Sequence, residues 1–444
     1  MLKTIRARTI QAFAAAAVSL TALGASAEQV RLQAAIGHPV LKAGEKHTTH
    51  LKVALTGFKF QREADRASVN VALVIDTSGS MQGEKIARAR EAAILAIRSL
   101  GPRDIASVVE YDDCVRVMVP ATKLTDPEPI CAAIRRLEPG KGTALFAGVS
   151  KGAEEVRKFL DRSRVNRIIL LSDGIANVGP SSPAELGDLG ASLVKEGIAV
   201  TTIGLGTGFN EDLMSQLARR SDGNHYFVEN SADLARIFKG ELGDVLAVAA
   251  QEVAVKIECA DGIRPIRVLG READITGQRV VTLLNQIYSE QEKYVILELE
   301  VPASSAGQAR PVASVEVSYV NMQTRTTDVL SSSIAVRFSD SDVEVERAIN
   351  KDVVVSAVEQ LAILTSKMAM KLRDEGKIEE ARILLMSNHS FLDRNAVQLK
   401  SDSLRRYAES QKDDEKSLEG VDYNRGRKKM VEEQSARSSQ QKAK

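Results

Sequence analysis

The chain has 444 residues, of which 44% are hydrophobic and 27% charged, values typical of globular proteins rather than of disordered or polytopic membrane proteins. Its 60 basic residues nearly balance its 59 acidic ones, which argues against a nucleic-acid-binding protein, since such proteins usually carry a basic excess or stripe. The absence of Trp and an aromatic content of only 4% argue against an aromatic-lined sugar or nucleobase groove.

Residues 1–27 have the pattern of a secretory signal peptide. Three basic residues precede a short alanine-rich apolar run, and Ala25-Ser26-Ala27 supplies the small residues that a signal peptidase requires. We expect cleavage before Glu28 and a mature protein that is periplasmic or secreted, with an uncleaved anchor as the alternative. No later stretch is apolar over the length of a membrane helix, so no membrane span is expected in the mature chain.

Strands of alternating polarity predict a β-sandwich in two parts, residues 28–68 and 244–340. Successive side chains of a strand point to opposite faces, so this alternation indicates one buried and one solvent-facing side. Within each part no helical pattern lies between the strands, which indicates a sandwich. We expect the two parts to form one sandwich into which the intervening residues are inserted. The alternating apolar residues are Leu51, Val53, Leu55, Val253, Val255, Ile257, Val295, Leu297, Leu299, Val301, Ala313, Val315, Val317 and Tyr319.

Between these parts, residues 69–243 alternate apolar runs with amphipathic helices. The runs at 69–75 and 167–171 are nearly continuous, as in strands buried on both faces, whereas the helix predicted at 84–100 carries its apolar residues on one stripe. This alternation predicts an α/β domain with a doubly wound, mainly parallel sheet, in which residues 115–119 form an antiparallel edge strand.

Helical periodicity returns after the sandwich. Residues 341–400 keep an apolar spacing of three to four that Gly376 interrupts, and this predicts a helical hairpin. From 401 to 444 apolar residues nearly vanish while charges of both signs mix, a composition typical of a disordered tail.

The cysteines Cys114, Cys131 and Cys259 are too few for a disulfide framework. Cys114, on a predicted strand, and Cys131, in the next predicted helix, could form a bridge. We favour two buried free thiols, because unpaired cysteines are commonly buried as small apolar side chains.

Oxygen-bearing side chains follow strand ends in the α/β domain. Asp76-Thr77-Ser78-Gly79-Ser80 ends the first predicted strand, Asp173 follows a later central strand, and Thr143 opens a helix between them. In a doubly wound sheet, ligands bind at the carboxyl ends of the strands, near the point where strand order reverses. Hard divalent cations prefer oxygen ligands, so these loops form a candidate metal site made of Asp76, Ser78, Ser80, Thr143 and Asp173.

The residue types at this site favour binding rather than hydrolysis. Ser78, Ser80 and Thr143 are neutral donors, so a cation that they bind directly keeps most of its positive charge. Asp76 and Asp173 can hold such a cation partly through coordinated water. A cation with an exchangeable position then accepts a carboxylate from outside.

The spacing Asp76-x-Ser78-x-Ser80, with Thr143 and Asp173 downstream, resembles the metal-ion-dependent adhesion site of von Willebrand factor A domains. The resemblance covers roughly residues 69–243, and all five motif positions match. It implies binding of Mg²⁺, or of another hard divalent cation such as Mn²⁺ or Ca²⁺, and capture of an Asp or Glu of a partner protein. The flanking sandwich and hairpin resemble those of bacterial exported proteins grouped as calcium-activated-chloride-channel-like, a label from which we adopt no channel function.

Other motifs are weaker. His47-Thr48-Thr49-His50 has metal-like spacing, but residues three apart in a strand face opposite sides. Gly140-Lys141-Gly142-Thr143 lacks the upstream Gly of a P-loop and the Ser or Thr after its Lys. Asp112-Asp113 is typical of a turn, and the sequence contains no His-Glu-x-x-His.

The leading hypothesis is a non-enzymatic, exported binding module that captures an acidic residue through a bound cation. The alternative is a scaffold or accessory subunit of a cell-envelope complex, in which the hairpin and tail make the main contact. An enzyme or channel component is the least supported, since the sequence shows no nucleophile–base pair, catalytic metal motif or membrane span.

Overall fold

The computed structural model describes residues 30–60, 66–419 and 423–443. The predicted signal peptide lies outside the described residues. The chain folds into a β-sandwich, an α/β domain inserted into it, and a group of C-terminal helices.

The α/β domain is preceded by the strands β1 (Val30–Ile36), β2 (Val40–Lys42) and β3 (His47–Gly57). β1 and β3 pair antiparallel in one sheet of the sandwich. β2 joins the other sheet, where it pairs parallel with a strand from the far end of the sandwich. The N-terminal segment therefore contributes to both sheets.

The sheet of the α/β domain consists of β4 (Ser68–Asp76), β5 (Ile105–Tyr111), β6 (Val115–Lys123), β7 (Arg164–Ser172), β8 (Ile198–Leu205) and β9 (His225–Val228). The strand order is β6-β5-β4-β7-β8-β9, and the pairings are parallel apart from the antiparallel pairing of β6 with β5. The inner strands are buried almost throughout because helices cover both faces. The predicted doubly wound, mainly parallel sheet with an antiparallel edge strand is confirmed.

Helices cover this sheet on both sides: α1 (Glu84–Arg98), α2 (Glu128–Arg135), α3 (Leu145–Arg157), α4 (Pro183–Lys195), α5 (Glu211–Arg220) and α6 (Leu234–Leu246). α1, α2 and α6 share one hydrophobic core with the sheet, while α3, α4 and α5 share the other. The apolar stripe predicted for α1 is buried at Ile86, Ala89, Ala93 and Ile97. Packing on both faces thus fixes the carboxyl ends of the strands, where the candidate site is expected.

The chain then returns to the sandwich with β10 (Val248–Cys259), β11 (Arg264–Leu269), β12 (Asp274–Thr276), β13 (Arg279–Tyr288), β14 (Gln291–Val301), β15 (Ala309–Asn321) and β16 (Thr327–Ser339). One sheet has the order β1-β3-β14-β11, and the other has the order β12-β13-β10-β15-β16-β2. Because β14 pairs with β3 and β16 pairs with β2, each sheet unites strands from both sides of the α/β domain. The predicted insertion into a β-sandwich is confirmed.

The sandwich is followed by α7 (Asp342–Arg347), α8 (Lys351–Asp374) and α9 (Ile378–Leu399), and α8 and α9 form the predicted helical hairpin. Ala357 of α8 packs against Ala54 and Ile296 on the outer face of the β3–β14 sheet. The prediction that this face is solvent-exposed is wrong at the centres of both strands, because α8 covers them. The prediction that no stretch after the signal peptide is apolar over the length of a membrane helix is wrong for α8, which is long and apolar enough to cross a membrane. In the structure 61% of its most apolar window is buried in the protein, as in a core helix.

The prediction of a disordered tail after residue 400 is wrong. This segment forms α10 (Asp402–Lys416), α11 (Tyr423–Ser438) and a short strand, β17 (Gln441–Ala443), which pairs with β14. Its few apolar residues fall on inward faces: Leu404 and Tyr407 pack into one core with α8 and α9, and Met430 and Val431 into another. The average composition of this segment does not reveal that its few apolar residues recur at helical spacing, which allows them to be buried on one face of each helix.

The cysteines are unbridged. Cys131 and Cys259 are buried, whereas Cys114 is exposed. The expectation of buried free thiols at Cys114 and Cys131 is right for Cys131 and wrong for Cys114, because Cys114 lies in the surface turn between β5 and β6 rather than within a strand.

Candidate functional site

The five candidate ligands predicted from the sequence come together at one edge of the α/β sheet. β4 and β7 pair in parallel, so their carboxyl ends meet, with Asp76 ending β4 and Asp173 directly following β7. Ser78 and Ser80 lie in the turn after β4, and Thr143 lies just before α3. The strand-end argument made from the sequence therefore places these residues correctly.

Three hydroxyl oxygens face a common space beside Gly174. Ser78 Oγ and Ser80 Oγ lie 3.0 Å apart, and Ser80 Oγ donates a hydrogen bond to Asp173 Oδ1 at 2.7 Å. A methyl group added to Gly174 would lie 3.1 Å from Thr143 Oγ1, 3.4 Å from Ser80 Oγ and 3.6 Å from Ser78 Oγ. The three hydroxyl oxygens thus surround one point beside Gly174, and oxygen donors of this kind fit a hard divalent cation.

Asp76 is buried next to this space and orders the loop around it. Its Oδ1 accepts a hydrogen bond from Ser78 N at 2.8 Å, and its Oδ2 accepts one from Ser172 Oγ at 2.6 Å. Burial raises the pKa of Asp76 to about 6, against the lowering effect of these hydrogen bonds. Since both carboxylate oxygens already accept hydrogen bonds, Asp76 is suited to hold a cation through a coordinated water and to fix the loop that carries Ser78.

Thr143 is held in place by the loop after β7. Its backbone N donates to Asn177 Oδ1 at 2.9 Å, and its carbonyl oxygen accepts from Asn177 N at 3.2 Å. The segment before Thr143 passes close to the turn after β5, where a methyl group on Gly140 would lie 1.9 Å from Asp112 Oδ2. Gly140 therefore permits the close approach that brings Thr143 to the site.

Asp173 has a partner that the sequence analysis missed. Its Oδ1 accepts from Ser80 Oγ, and its Oδ2 contacts the ammonium of Lys85. Lys85 is the second residue of α1, so the helix after the serine turn delivers a positive charge into the site. A lysine at the start of the helix that follows an Asp-x-Ser-x-Ser motif is the signal that could have identified it.

The rim of the site combines exposed aliphatic and acidic side chains. Ile175 and Val178, in the loop after Asp173, are 62% and 37% exposed. Gly142 lies between Val178 and Asp113. A methyl group added to Gly142 would lie 3.2 Å from Asp113 Cβ and 3.2 Å from Val178 Cγ2. Aliphatic side chains exposed beside a polar site are typical of a surface that contacts another protein.

A second cluster of potential metal ligands lies in the turn at this rim, where Asp112, Asp113 and Cys114 offer ligand atoms within 4.8 Å of one another. The Asp112 carboxylate already has partners: Oδ1 accepts from Cys114 N at 2.8 Å, and Oδ2 lies 3.4 Å from the Arg116 guanidinium. Partial burial acts to raise the pKa of Asp112, but these two partners hold it below its ordinary value. The cluster is the turn predicted for Asp112-Asp113, closed by its own hydrogen bonds.

The histidine motif has structural contacts. His47 Nε2 forms a hydrogen bond with Lys42 O at 2.7 Å, and burial lowers the pKa of His50 on the same strand. Within residues 30–60, 66–419 and 423–443, the cluster in the rim turn is the one group of His, Cys and acidic residues with metal-like spacing, and it contains no histidine.

Residues 70–240 match the family model of the von Willebrand factor type A domain. The match spans the doubly wound sheet and contains all five candidate ligands. The α/β domain is a von Willebrand factor type A domain. Such domains mediate protein–protein interaction, which supports a role of this domain as an interaction module.

The similarity to other proteins extends beyond the von Willebrand factor type A domain. The uncharacterized protein sll0103 of Synechocystis sp. is 26% identical over 302 residues, 64% of this chain and 71% of that protein. A von Willebrand factor type A protein from Catenulispora acidiphila superposes with a TM-score of 0.68 at 18% identity, covering 87% of this chain and 88% of that one. The ArnB paralog VWA2 from Sulfolobus acidocaldarius has a TM-score of 0.62 at 18% identity, covering 92% and 98%. These structures share the fold, while several further curated relatives are matched over 37% or less of their own length.

Proposed function

We propose that this protein is an exported, non-enzymatic binding module whose von Willebrand factor type A domain captures an acidic residue of a partner protein through a divalent cation. The convergence of three hydroxyls and the Asp173 carboxylate at the space beside Gly174 carries this proposal. The residues that would hold the cation are Asp76, Ser78, Ser80, Thr143 and Asp173.

The donor set supports binding of an external carboxylate. Three of the five donors are neutral hydroxyls, so a cation that they hold keeps more of its positive charge than one surrounded by carboxylates. Bound there, Mg²⁺, or another hard divalent cation such as Mn²⁺ or Ca²⁺, would supply an exchangeable coordination position for an Asp or Glu of the partner. The exposed Ile175 beside this position supports a partner whose acidic residue has an aliphatic neighbour.

The composition of the site supports a non-enzymatic role. The five candidate ligands and Lys85 include no histidine and no cysteine. Hydrolysis by acyl transfer uses an activated nucleophile with an adjacent base, commonly a serine or cysteine beside a histidine, and these six residues offer no histidine for that role. We therefore place binding, not catalysis, at this site.

Thermal unfolding with Mg²⁺ and with chelator tests the metal site. A ligand that binds only the folded state stabilises it by about 2.7 kcal/mol at a hundredfold excess over Kd, so Mg²⁺ should raise the Tm of the unmutated protein. Asp76→Ala and Asp173→Ala each remove a negative charge and should largely abolish this rise. If Mg²⁺ stabilises the unmutated protein and Asp76→Ala equally, these residues do not hold the ion.

Thr143→Ala separates ligand capture from folding. The substitution removes one neutral donor, leaves both carboxylates, and keeps the backbone bonds between Thr143 and Asn177. We expect a folded protein that has lost its metal-dependent partner in a pull-down from envelope extract. Retention of the partner by Thr143→Ala would argue against capture through the ion.

A scaffold or accessory subunit of a cell-envelope complex is the second candidate function. Exposed apolar side chains on the hairpin favour it: Met368 is 53% exposed, Ile383 65%, Met386 54% and Val397 64%. A pull-down repeated with chelator distinguishes the two functions, because a partner bound through the hairpin stays bound when the metal is removed, whereas a partner captured at the metal site is lost.

Export is proposed from the first 27 residues alone. The intact mass of the native protein should correspond to a chain that begins at Glu28, since Ala25-Ser26-Ala27 is the expected cleavage site. A native species that retains residues 1–27 would instead indicate an uncleaved anchor.

A further inference from the structure

Lys85 places a positive charge inside the candidate metal site. Its ammonium contacts Asp173 Oδ2, and the Asp173 carboxylate is completely buried while the Lys85 side chain is 36% exposed. Among the described residues, Asp173 is the one carboxylate within ion-pair distance of this ammonium. Lys85 therefore supplies a countercharge for Asp173.

The backbone around Lys85 holds it in this position. Lys85 lies in the first turn of α1, which the serine turn precedes directly. On its other side is the loop after β8, where a methyl group on Gly206 would lie 3.9 Å from Lys85 Nζ. The same loop passes close to Asp173, since a methyl group on Gly208 would lie 2.8 Å from its carbonyl oxygen. Lys85 and Asp173 thus share a pocket formed by α1 and two strand-end loops.

Both oxygens of Asp173 already have donors, Ser80 Oγ and Lys85 Nζ. A cation that approaches the three hydroxyls must share Asp173 with the ammonium or displace it. In a partly buried site, two cations a few ångströms apart repel each other by an amount worth orders of magnitude in affinity. The Lys85 ammonium thus lies where it would compete with such a cation for Asp173.

We propose that Lys85 is a tethered counter-cation that weakens metal binding and strengthens capture of an acidic partner. This inference rests on the proposed function of the site. Asp76 and Asp173 together balance the charge of a divalent cation, and Lys85 leaves the loaded site with a net positive charge. The cost to metal affinity and the gain in attraction for a carboxylate have the same electrostatic origin.

Lys85→Met tests both consequences, with Arg88→Met as the matched control. Arg88 lies one turn along α1, where it pairs with Glu84 and Glu91 at the surface. Calorimetric titration with Mg²⁺ alone should show about tenfold or tighter binding to Lys85→Met, and unchanged binding to Arg88→Met. At saturating Mg²⁺, a fluorinated carboxylate probe, trifluorobutyrate, followed by fluorine NMR, should bind Lys85→Met roughly threefold or more weakly than the unmutated protein.

Two further variants keep the test independent of folding. Lys85→Gln retains a hydrogen-bond donor for Asp173 but loses the charge, so it should shift both affinities in the same directions as Lys85→Met. Lys85→Arg retains the charge and should give affinities close to those of the unmutated protein.

If Mg²⁺ binds the unmutated protein but Lys85→Met and Lys85→Gln change neither affinity, the role of Lys85 is refuted and the metal site stands. If Mg²⁺ does not bind the unmutated protein at all, the proposed function itself fails, and the inference on Lys85 fails with it.

Discussion

At the scale of single residues, the space beside Gly174 is the feature on which the site depends. The backbone of Gly174 has no left-handed φ that would require glycine, so its lack of a side chain matters for the space that it leaves. A Cβ there would approach the hydroxyls of Thr143, Ser80 and Ser78 to between 3.1 and 3.6 Å. The smallest possible side chain would therefore compete with a cation for the same space.

Gly174→Ala should abolish metal binding while the protein stays folded. The methyl group fills the space between the hydroxyls, and the substitution removes no hydrogen-bonding group or charge. We expect the Mg²⁺-dependent rise in Tm to disappear while the Tm in chelator changes by no more than a few degrees. Circular dichroism melts with Mg²⁺ and with chelator measure both effects.

Gly240→Ala is the matched control for this substitution. Gly240 lies within α6, and a methyl group there would meet nothing within 4 Å. Alanine in a helix interior is favoured over glycine by about 1 kcal/mol, so this variant should be slightly more stable and should respond to Mg²⁺ like the unmutated protein. An equal loss of the Mg²⁺ response in both variants would mean that the space beside Gly174 is not the binding site.

At the scale of elements, α11 connects the C-terminal helices to the von Willebrand factor type A domain. Arg427 of α11 binds Glu211 at 2.6 Å and Asp212 at 2.7 Å on α5, and it also binds Asp374 on α8 at 2.7 Å. Lys428 donates to Phe209 O at 2.7 Å, within the loop that passes close to Asp173. The last helix therefore packs against the loop that borders the candidate metal site.

Arg427→Met should release α11 from this position. Arg427 is nearly buried, and its loss leaves the Glu211 carboxylate with one cationic partner instead of two. The loss of the contacts with Glu211, Asp212 and Asp374 should weaken the docking of α11 on α5 and α8. Limited proteolysis should then cleave within α11 before the rest of the protein. Arg425→Met, whose exposed side chain pairs with Glu229 at the surface, should leave cleavage unchanged. Equal protection of α11 in the Arg427 variant would mean that apolar packing alone holds it.

The contact between α10 and α11 should depend on pH because of Asp414. Burial, with the nearby charge of Glu433, raises the pKa of Asp414 to about 8, well above its ordinary value of 3.8. The folded state therefore holds a proton that the unfolded state has lost, so the contribution of Asp414 to stability is full below about pH 4 and is lost as the pH rises towards 8.

Asp414→Asn should remove this dependence. At pH 8 the amide avoids a buried charge, and we expect the free energy of opening of α10 and α11 to rise by about 1 kcal/mol or more, with little change at pH 4. Hydrogen–deuterium exchange of both helices at the two pH values measures this. Glu409→Gln is the control, since Glu409 is an exposed carboxylate of the same helix. A gain of the same size at both pH values would contradict the electrostatic explanation.

At the scale of the whole molecule, buried polar contacts fix the von Willebrand factor type A domain against the sandwich. Arg167 of β7 is completely buried and donates to Gln286 Oε1 at 2.7 Å and to Tyr288 Oη at 2.6 Å on β13. Glu241 of α6, also completely buried, lies 3.7 Å from the same guanidinium. A second contact joins Asp222, after α5, to Lys293 of β14 at 2.6 Å. Such directional contacts define one relative orientation of the two units.

Arg167→Met should weaken the whole structure. It leaves the buried Glu241 charge without its cation, and breaking a buried pair on one side costs about 3–5 kcal/mol. Thermal unfolding should show a lower Tm, and Arg167→Met/Glu241→Gln should recover part of the loss because no unpaired charge remains. Equal destabilisation of the single and double variants would show that Arg167 acts through its hydrogen bonds to β13 and not through charge compensation.

The sequence by itself determined the doubly wound sheet, its insertion into a sandwich and the positions of the five candidate ligands. These features depend on local order: nearly continuous apolar runs require burial on both faces, and a polar residue directly after such a run stands at the sheet edge. Asp76 and Asp173 could be placed together because adjacent parallel strands bring their carboxyl ends to one edge.

Only the tertiary structure decided how the C-terminal segment and the partners of the site are arranged. Composition alone predicted disorder after residue 400, but Leu404 and Met430 find apolar cores supplied by α8 and α9. Lys85 and Asp173 are 88 residues apart, and their contact arises only when α1 packs on the sheet that contains β7. Local patterns specify periodicity and strand ends, whereas the burial of a tail or the pairing of distant charges depends on the surfaces that the rest of the chain presents.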